Sequence, residues 1–273
     1  MKILNSLTSR DGTGKISIQL QDNSVIESVL LVDQTGRTTA CLSSQVGCAQ
    51  GCTFCQTGNL GLKRNLIVQE ITGQFDLLKS AFNKDITNIV YMGMGEPLHN
   101  IDNVLESIKI FTNPKTYNIF LRRITISTSG VISAFPKLLL SKPYPGLAFS
   151  LITANRKLRE QIIPKTPSLD KIKESLIKYQ QVTNKRIIIE IINFKGINET
   201  EDEANEIFNF LNGLNTIINL IPYNETGNNN FEAPDLEKVK IFSKHLFNLG
   251  LKVTIRHSKG QDIAGACGQL GKH

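Results

Sequence analysis

Three cysteines crowd into one short stretch, Cys48-Ala49-Gln50-Gly51-Cys52-Thr53-Phe54-Cys55, with the spacing C-x3-C-x2-C and an aromatic just before the last. A chain built around such a stretch must fold so that one loop presents three thiolates together. A four-iron cluster is normally held by four Cys thiolates, so three leave one iron open to an exogenous ligand. A zinc site wants a fourth ligand at matching spacing, and His245 and His257 are distant and isolated. A disulfide pair is disfavoured in a chain that otherwise reads as cytosolic and reduced. The spacing favours an iron–sulfur cluster with an open iron.

The 273 residues and 40% hydrophobic content support one good-sized core, and a single α/β barrel of this length is ordinary. Met1-Lys2-Ile3-Leu4-Asn5-Ser6 carries no apolar stretch of the kind a signal peptide has, and no apolar run approaches 18 residues. The expectation is a cytoplasmic protein with no membrane span. A formal net charge of +7 suits a polyanionic partner, because Lys and Arg displace counterions from a phosphate backbone. It suits a merely basic surface equally well. Candidate contributors are Lys63 with Arg64, the Arg156–Arg159 run, and Arg256 with Lys259.

Along the chain, Lys15–Leu20 and Val25–Val32 flank the turn cluster Gln21-Asp22-Asn23-Ser24 and predict a hairpin. Arg37–Cys41 predicts a strand leading into the cysteine loop. Strands are then predicted over Ile86–Tyr91, Arg123–Ser127, Leu147–Leu151, Ile187–Ile192, Thr216–Ile221 and, shortest and last, Lys252–Arg256. Helices are predicted over Val68–Phe82, Ile101–Phe111, Ile132–Leu140, Leu169–Gln181, Glu201–Leu211 and Leu236–Leu249. Ile187–Ile192 is almost continuously β-branched, as in a parallel strand buried on both faces. The alternation implies a parallel sheet with right-handed crossovers. The fold class is α/β, a partial (β/α)6 barrel spanning residues 37–273, with a small N-terminal β-hairpin extension over residues 1–36. A Gly-rich, irregular C-terminal tail starts at Gly260.

Active sites in such sheets lie beyond the carboxyl ends of the strands. There the sequence offers Met92-Gly93-Met94-Gly95-Glu96-Pro97, where glycines allow close backbone approach and Glu96 can accept from an ammonium; a plain turn is the alternative. Ser127-Thr128-Ser129-Gly130 suits a carboxylate or ribose, or is an ordinary helix cap. Ser150 and Leu151 end the fourth strand. Asn224 follows the sixth, placed to read an adenine or to cap a turn.

The cysteine loop with its aromatic resembles the signature of radical-SAM proteins. That resemblance implies that Cys48, Cys52 and Cys55 hold a [4Fe-4S] cluster whose open iron chelates S-adenosylmethionine (SAM). Two further cysteines sharpen it: Cys41 in Cys41-Leu42-Ser43-Ser44-Gln45-Val46-Gly47-Cys48, and Cys267 in Ala266-Cys267-Gly268-Gln269-Leu270. Together with G-M-G-E-P, S-T-S-G and N-L-I-P-Y-N, these blocks resemble the RlmN/Cfr family of radical-SAM RNA adenine methyltransferases, in one consistent order from Glu27 to Leu270. The resemblance implies that Cys267 takes a methyl group from one SAM. A radical from a second SAM activates that methyl carbon, which then adds to adenine. Glu27 removes a proton, and Cys41 attacks the Cys267 sulfur, releasing methyladenine and leaving a disulfide. It also implies SAM contacts at Gly95, Glu96, Ser127, Ser150, Leu151 and Asn224. The implied substrate is an adenosine carbon, C2 or C8, of 23S rRNA or tRNA. The implied partners are that RNA and an electron donor such as flavodoxin or ferredoxin, around a monomer free of membrane.

The sequence departs from that pattern at two places. Ile152 stands where the family has a His after Ser-Leu, and the sequence starts at the β hairpin, without the helical domain that precedes it in full-length members. The second departure keeps two rival readings open: a radical-SAM paralogue with a non-RNA substrate, and an inert, cluster-bearing RNA-binding protein.

Overall fold

The computed structural model describes residues 1–227 and 230–271. Strands β1 (Lys2–Thr8), β2 (Gly14–Gln19) and β3 (Val25–Val32) come first, then β4 (Thr38–Cys41) and β5 (Gln45–Gly47). A one-turn helix α1 (Gln56–Asn59), β6 (Leu62–Asn65), α2 (Val68–Phe82), β7 (Asn88–Tyr91), α3 (Ile101–Thr112) and β8 (Ile124–Thr128) follow. The chain continues through α4 (Phe135–Leu140), β9 (Gly146–Ser150), α5 (Arg156–Ile162), α6 (Leu169–Thr183), β10 (Ile187–Asn193), α7 (Glu201–Leu211), β11 (Thr216–Pro222), α8 (Leu236–Asn248) and β12 (Val253–Ile255).

Ten strands form one sheet in the order β1-β2-β3-β4-β7-β8-β9-β10-β11-β12. From β4 to β12 every neighbour is parallel, as the helical crossovers require, whereas β1, β2 and β3 run antiparallel and join the sheet through β3 and β4. The extension therefore prolongs the barrel sheet at its first edge. Residues of period two decide the two faces. In β10, Ile187, Ile189 and Ile191 are fully buried in the main core, each worth about 1.5–3 kcal/mol of burial. Ile188 and Glu190, of opposite parity, face the barrel interior. The helices cover the outer face with apolar stripes such as Leu169, Ile172, Leu176 and Tyr179 of α6.

The predicted hairpin forms with its turn at Asp22–Ser24, closed by the Leu20 N–H donating to the Ser24 carbonyl at 2.8 Å. Several elements escaped the sequence reading, the one-turn α1 among them. Strand β1 is an exposed edge whose Lys-Ile-Leu-Asn-Ser-Leu-Thr lacks clean alternation. β5 and β6 make a two-stranded ribbon around the cysteine loop. Helix α5 is started by Asn155, whose side chain accepts from the Leu158 N–H at 3.0 Å. The helix expected over Ile132–Leu140 shortens to α4, because Pro136 fits only its first turn; a 3-10 turn precedes it.

Candidate active site

Inward-facing residues of the parallel strands line a cavity of about 620 Å³, within the range of small-molecule sites. Thr39 and Cys41, Asn88 and Val90, Thr125 and Ser127, Ile188 and Glu190, and Asn219 and Ile221 alternate along its wall. The cysteine loop closes the cavity at the carboxyl ends of the strands, and the tail segment Gly265–Gly268 forms another side.

All five cysteines are free, and all five line this cavity. Cys41 ends β4, in register with Val90 of β7. Cys55 precedes α1 and receives bonds from the main chain of Gly58 and Thr57. Burial pushes the Cys48 thiol up to about 12. Cys52 is raised well above the usual thiol range by burial and then by the charges of Cys55 and Cys48. Three crowded thiols of this kind want a cationic partner to become thiolates. Among the described residues no three His, Cys, Asp or Glu side chains converge on one ion position. A zinc ion needs that convergence; a cluster takes one thiolate per iron and does not. The donor set fits the [4Fe-4S] cluster.

Cys267 is open to the cavity yet surrounded by protein, and burial followed by the Glu190 carboxylate pushes its thiol up to about 12. The tail is anchored on both sides of it. The Asn224 amide donates to the Cys267 carbonyl at 3.1 Å, and the Gln56 N–H donates to the Gly268 carbonyl at 2.8 Å. Thr57 Oγ1 donates to the Leu270 carbonyl at 2.7 Å. The tail thiol is thereby held to the very loop that carries Cys52 and Cys55.

Gly95 and Glu96 line the cavity. A Cβ at Gly95 would lie 2.8 Å from the Gln45 nitrogen and its φ of +101° excludes most side chains; one at Gly93 would meet the Leu42 carbonyl carbon at 2.8 Å. The Glu96 carboxylate is spent on protein: Oε1 accepts from the Leu98 N–H at 3.0 Å, and Oε2 from the N–H and hydroxyl of Ser129, both at 2.9 Å. In this structure the donors that this carboxylate meets are Ser129 and Leu98. Ser127 and Ser150 line the cavity, their hydroxyls 3.5 Å apart. Leu151 is fully buried behind the wall. Its carbonyl and those of Ser150 and Ser129 all accept from the Arg159 guanidinium, which is 1% exposed and shapes this loop.

Three expected site residues lie outside the cavity lining, Leu151 behind its wall and two more. Asn224 gives its amide to the tail, Nδ2 to Cys267 and Oδ1 accepting from Gln261 Nε2 at 2.7 Å. Glu27 is 0% exposed, with Lys15 Nζ 3.0 Å from Oε1 and the Gly271 N–H donating to Oε2 at 2.7 Å. Ile152 has a left-handed φ of +65° and packs in a satellite apolar cluster with Phe54, Phe194 and Tyr223.

Of the basic groups singled out from sequence, Arg64 is bound between Asp22 and Glu70, Arg156 pairs with Asp170, and Arg159 is internal. None of these is the free cation expected of a phosphate-binding face. Arg256 and Lys259 do line the cavity. Arg122 and Arg123, missed in the sequence, line it too; both guanidiniums stand over the Phe120 ring, at 5.2 and 5.5 Å, and Phe120 is 56% exposed. Neither arginine has a carboxylate partner among the described residues. Glu190 was also missed, although a Glu inside an isoleucine run is a legible signal.

Known proteins resemble this chain over most of its length. The profile of the Radical SAM superfamily matches residues 42–211. A probable dual-specificity RNA methyltransferase RlmN of Treponema pallidum is 42% identical over 273 aligned residues, covering 99% of this chain and 80% of that protein. The protein of the same name from Pseudothermotoga lettingae is 42% identical, covering 97% and 77%. The crystal structure of a radical SAM methyltransferase from Sphaerobacter thermophilus superposes with a TM-score of 0.93 at 36% identity, covering 98% of this chain and 80% of that one. The chain thus belongs to the radical SAM superfamily and, within it, to the RlmN family.

Proposed function

We propose that the protein methylates a ring carbon of an adenosine in RNA, C2 or C8, with 23S rRNA as the principal target and tRNA as a second. One observation carries the reading: Cys267, from the far end of the chain, lines the same cavity as Cys41 and the three loop cysteines. Relatives that this chain covers to 80% and 77% of their length are named as dual-specificity RNA methyltransferases, which supports RNA as the substrate.

In this reading Cys48, Cys52 and Cys55 hold the cluster, and Gly95, Glu96, Ser127, Ser150, Leu151 and Asn224 surround SAM through side chains or main chain. When bound, the cluster and SAM supply a methyl group and a carbon-centred radical. Cys267 receives the methyl as a thioether and presents it to the base. Cys41 then attacks the Cys267 sulfur, freeing the methylated base and leaving a Cys41–Cys267 disulfide for an external thiol to reduce. Glu27 takes the proton from the substituted carbon once its bond to the Gly271 N–H has opened. The Arg122, Arg123 and Phe120 group supplies phosphate contacts and a stacking surface at the cavity's edge. The electron comes from a cytoplasmic donor such as flavodoxin or ferredoxin, and the enzyme acts as a monomer.

Mass spectrometry of nucleosides in RNA from cells with and without the gene tests the reading. It expects a methyladenosine that disappears with the gene; an unchanged nucleoside profile contradicts it.

A further inference from the structure

Glu190 has no part in the mechanism above. It is 6% exposed, interrupts the isoleucine run of β10, and turns into the cavity by its parity with Ile188. On the neighbouring strands it is in register with Ser150 and Asn219. Oε2 accepts from the Ser127 hydroxyl at 3.1 Å, and the Ser150 hydroxyl adds a further bond. Oε1 is buried and has no hydrogen-bond partner among the described residues. A buried oxygen left without a donor at a cavity wall is unusual in a folded protein and calls for a ligand. The charged and titratable groups around it are Arg256, Cys41 and Cys267, all lining the same cavity. Burial outweighs Arg256 and the serine hydroxyls and raises the Glu190 pKa, which favours a protonated carboxyl.

The geometry points to Glu190 as the residue that reads the target adenine, across the edge formed by ring N1 and the 6-amino group. This rests on the RNA reading above and deepens it. The sulfur that presents the carbon and the sulfur that releases it line the same cavity as Glu190 and feel its charge, so a base held between them and the β10 wall meets this carboxyl. A protonated carboxyl offers one donor and one acceptor side by side. Adenine meets them with an acceptor at N1 and a donor at the 6-amino group. An extruded base is typically read in this way, along its pairing edge.

The test is equilibrium binding, by fluorescence anisotropy, of a synthetic RNA hairpin that the wild-type enzyme methylates. It is made with adenosine, or with purine riboside lacking the 6-amino group, at the methylated position. The holoenzyme is used without reductant, so that no turnover occurs. Wild type is expected to prefer the adenosine RNA by about tenfold. Glu190→Ala erases the preference, while Glu190→Gln, whose amide offers the same donor and acceptor pair, keeps most of it. The SAM dissociation constant of Glu190→Ala stays at the wild-type value. Equal binding of both RNAs by wild type, or a preference that survives in Glu190→Ala, overturns the assignment. So does weakened SAM binding in Glu190→Ala, which would give the carboxyl to the cofactor. A wild-type enzyme that methylates no RNA removes the RNA reading itself, and this assignment with it.

Discussion

The main-chain N–H of Gly271 donates to Oε2 of Glu27 at 2.7 Å, joining positions 244 residues apart in sequence. The same carboxylate holds Lys15, which is only 5% exposed, in an ion pair of 3.0 Å. Neighbouring ties repeat the pattern: Ser9 Oγ donates to Asp262 at 2.5 Å, the Gly260 N–H to Asp11 at 2.8 Å, and Lys15 Nζ to the Ala264 carbonyl at 3.2 Å. The tail that bears Cys267 is thus fastened to the N-terminal strands, and the two ends of the chain together complete the site.

Glu27 is therefore a structural anchor as well as the proposed proton acceptor. Glu27→Ala leaves the buried Lys15 without its carboxylate, with only the Ala264 carbonyl to meet its charge, and is expected to lower stability by about 3 kcal/mol. Urea unfolding of the cluster-free protein measures this. A midpoint equal to wild type would show that the anchor contributes nothing.

The iron-holding and carbon-handling sulfurs separate by substitution. Replacing Cys52 by Ala is expected to reduce reconstituted iron to background, since two thiolates cannot hold the cluster firmly. Cys41→Ala and Cys267→Ala are expected to keep wild-type iron and the wild-type visible absorption of the cluster. Loss of iron in either of the latter variants would assign that sulfur to the metal instead.

At Gly95 the φ of +101° and the 2.8 Å approach of a built Cβ to the Gln45 nitrogen leave no room for a side chain. Gly95→Ala forces the G-x-G-E-P turn to move, at a cost of about 1–2 kcal/mol for the left-handed backbone alone. The expected outcome is SAM affinity reduced by tenfold or more, on the order of 1.4 kcal/mol, read by calorimetry. Unchanged affinity would place SAM away from this turn.

The sequence carried the barrel because β10 and α6 announce their periods plainly, and because the cysteine loop constrains its own chemistry. It did not carry the fates of individual polar groups. Nothing local distinguishes Arg64, neutralised by Asp22 and Glu70, from Arg123, which has no carboxylate partner among the described residues; the difference is made by strands distant in sequence. Likewise Asn224 reads as a turn residue or a ligand contact, and only the folded tail shows its amide committed to Cys267 and Gln261. Strand β1 stayed hidden because an exposed edge needs little hydrophobic alternation.

Arg122 and Arg123 give the RNA reading an electrostatic test. Reversing both to Glu is expected to weaken RNA binding across sequences and to reduce the slope of log K against log salt by about 2, one per phosphate contact. SAM affinity serves as the internal control. A salt slope equal to wild type would move the RNA face elsewhere on the molecule.

The central claim, that Cys267 carries the transferred carbon, is tested most directly by following methyl-labelled SAM into RNA under anaerobic, reducing conditions. The account predicts that wild type labels Cys267 and then RNA, and that Cys267→Ala labels neither while retaining its iron. RNA methylation at the wild-type level in Cys267→Ala would contradict it.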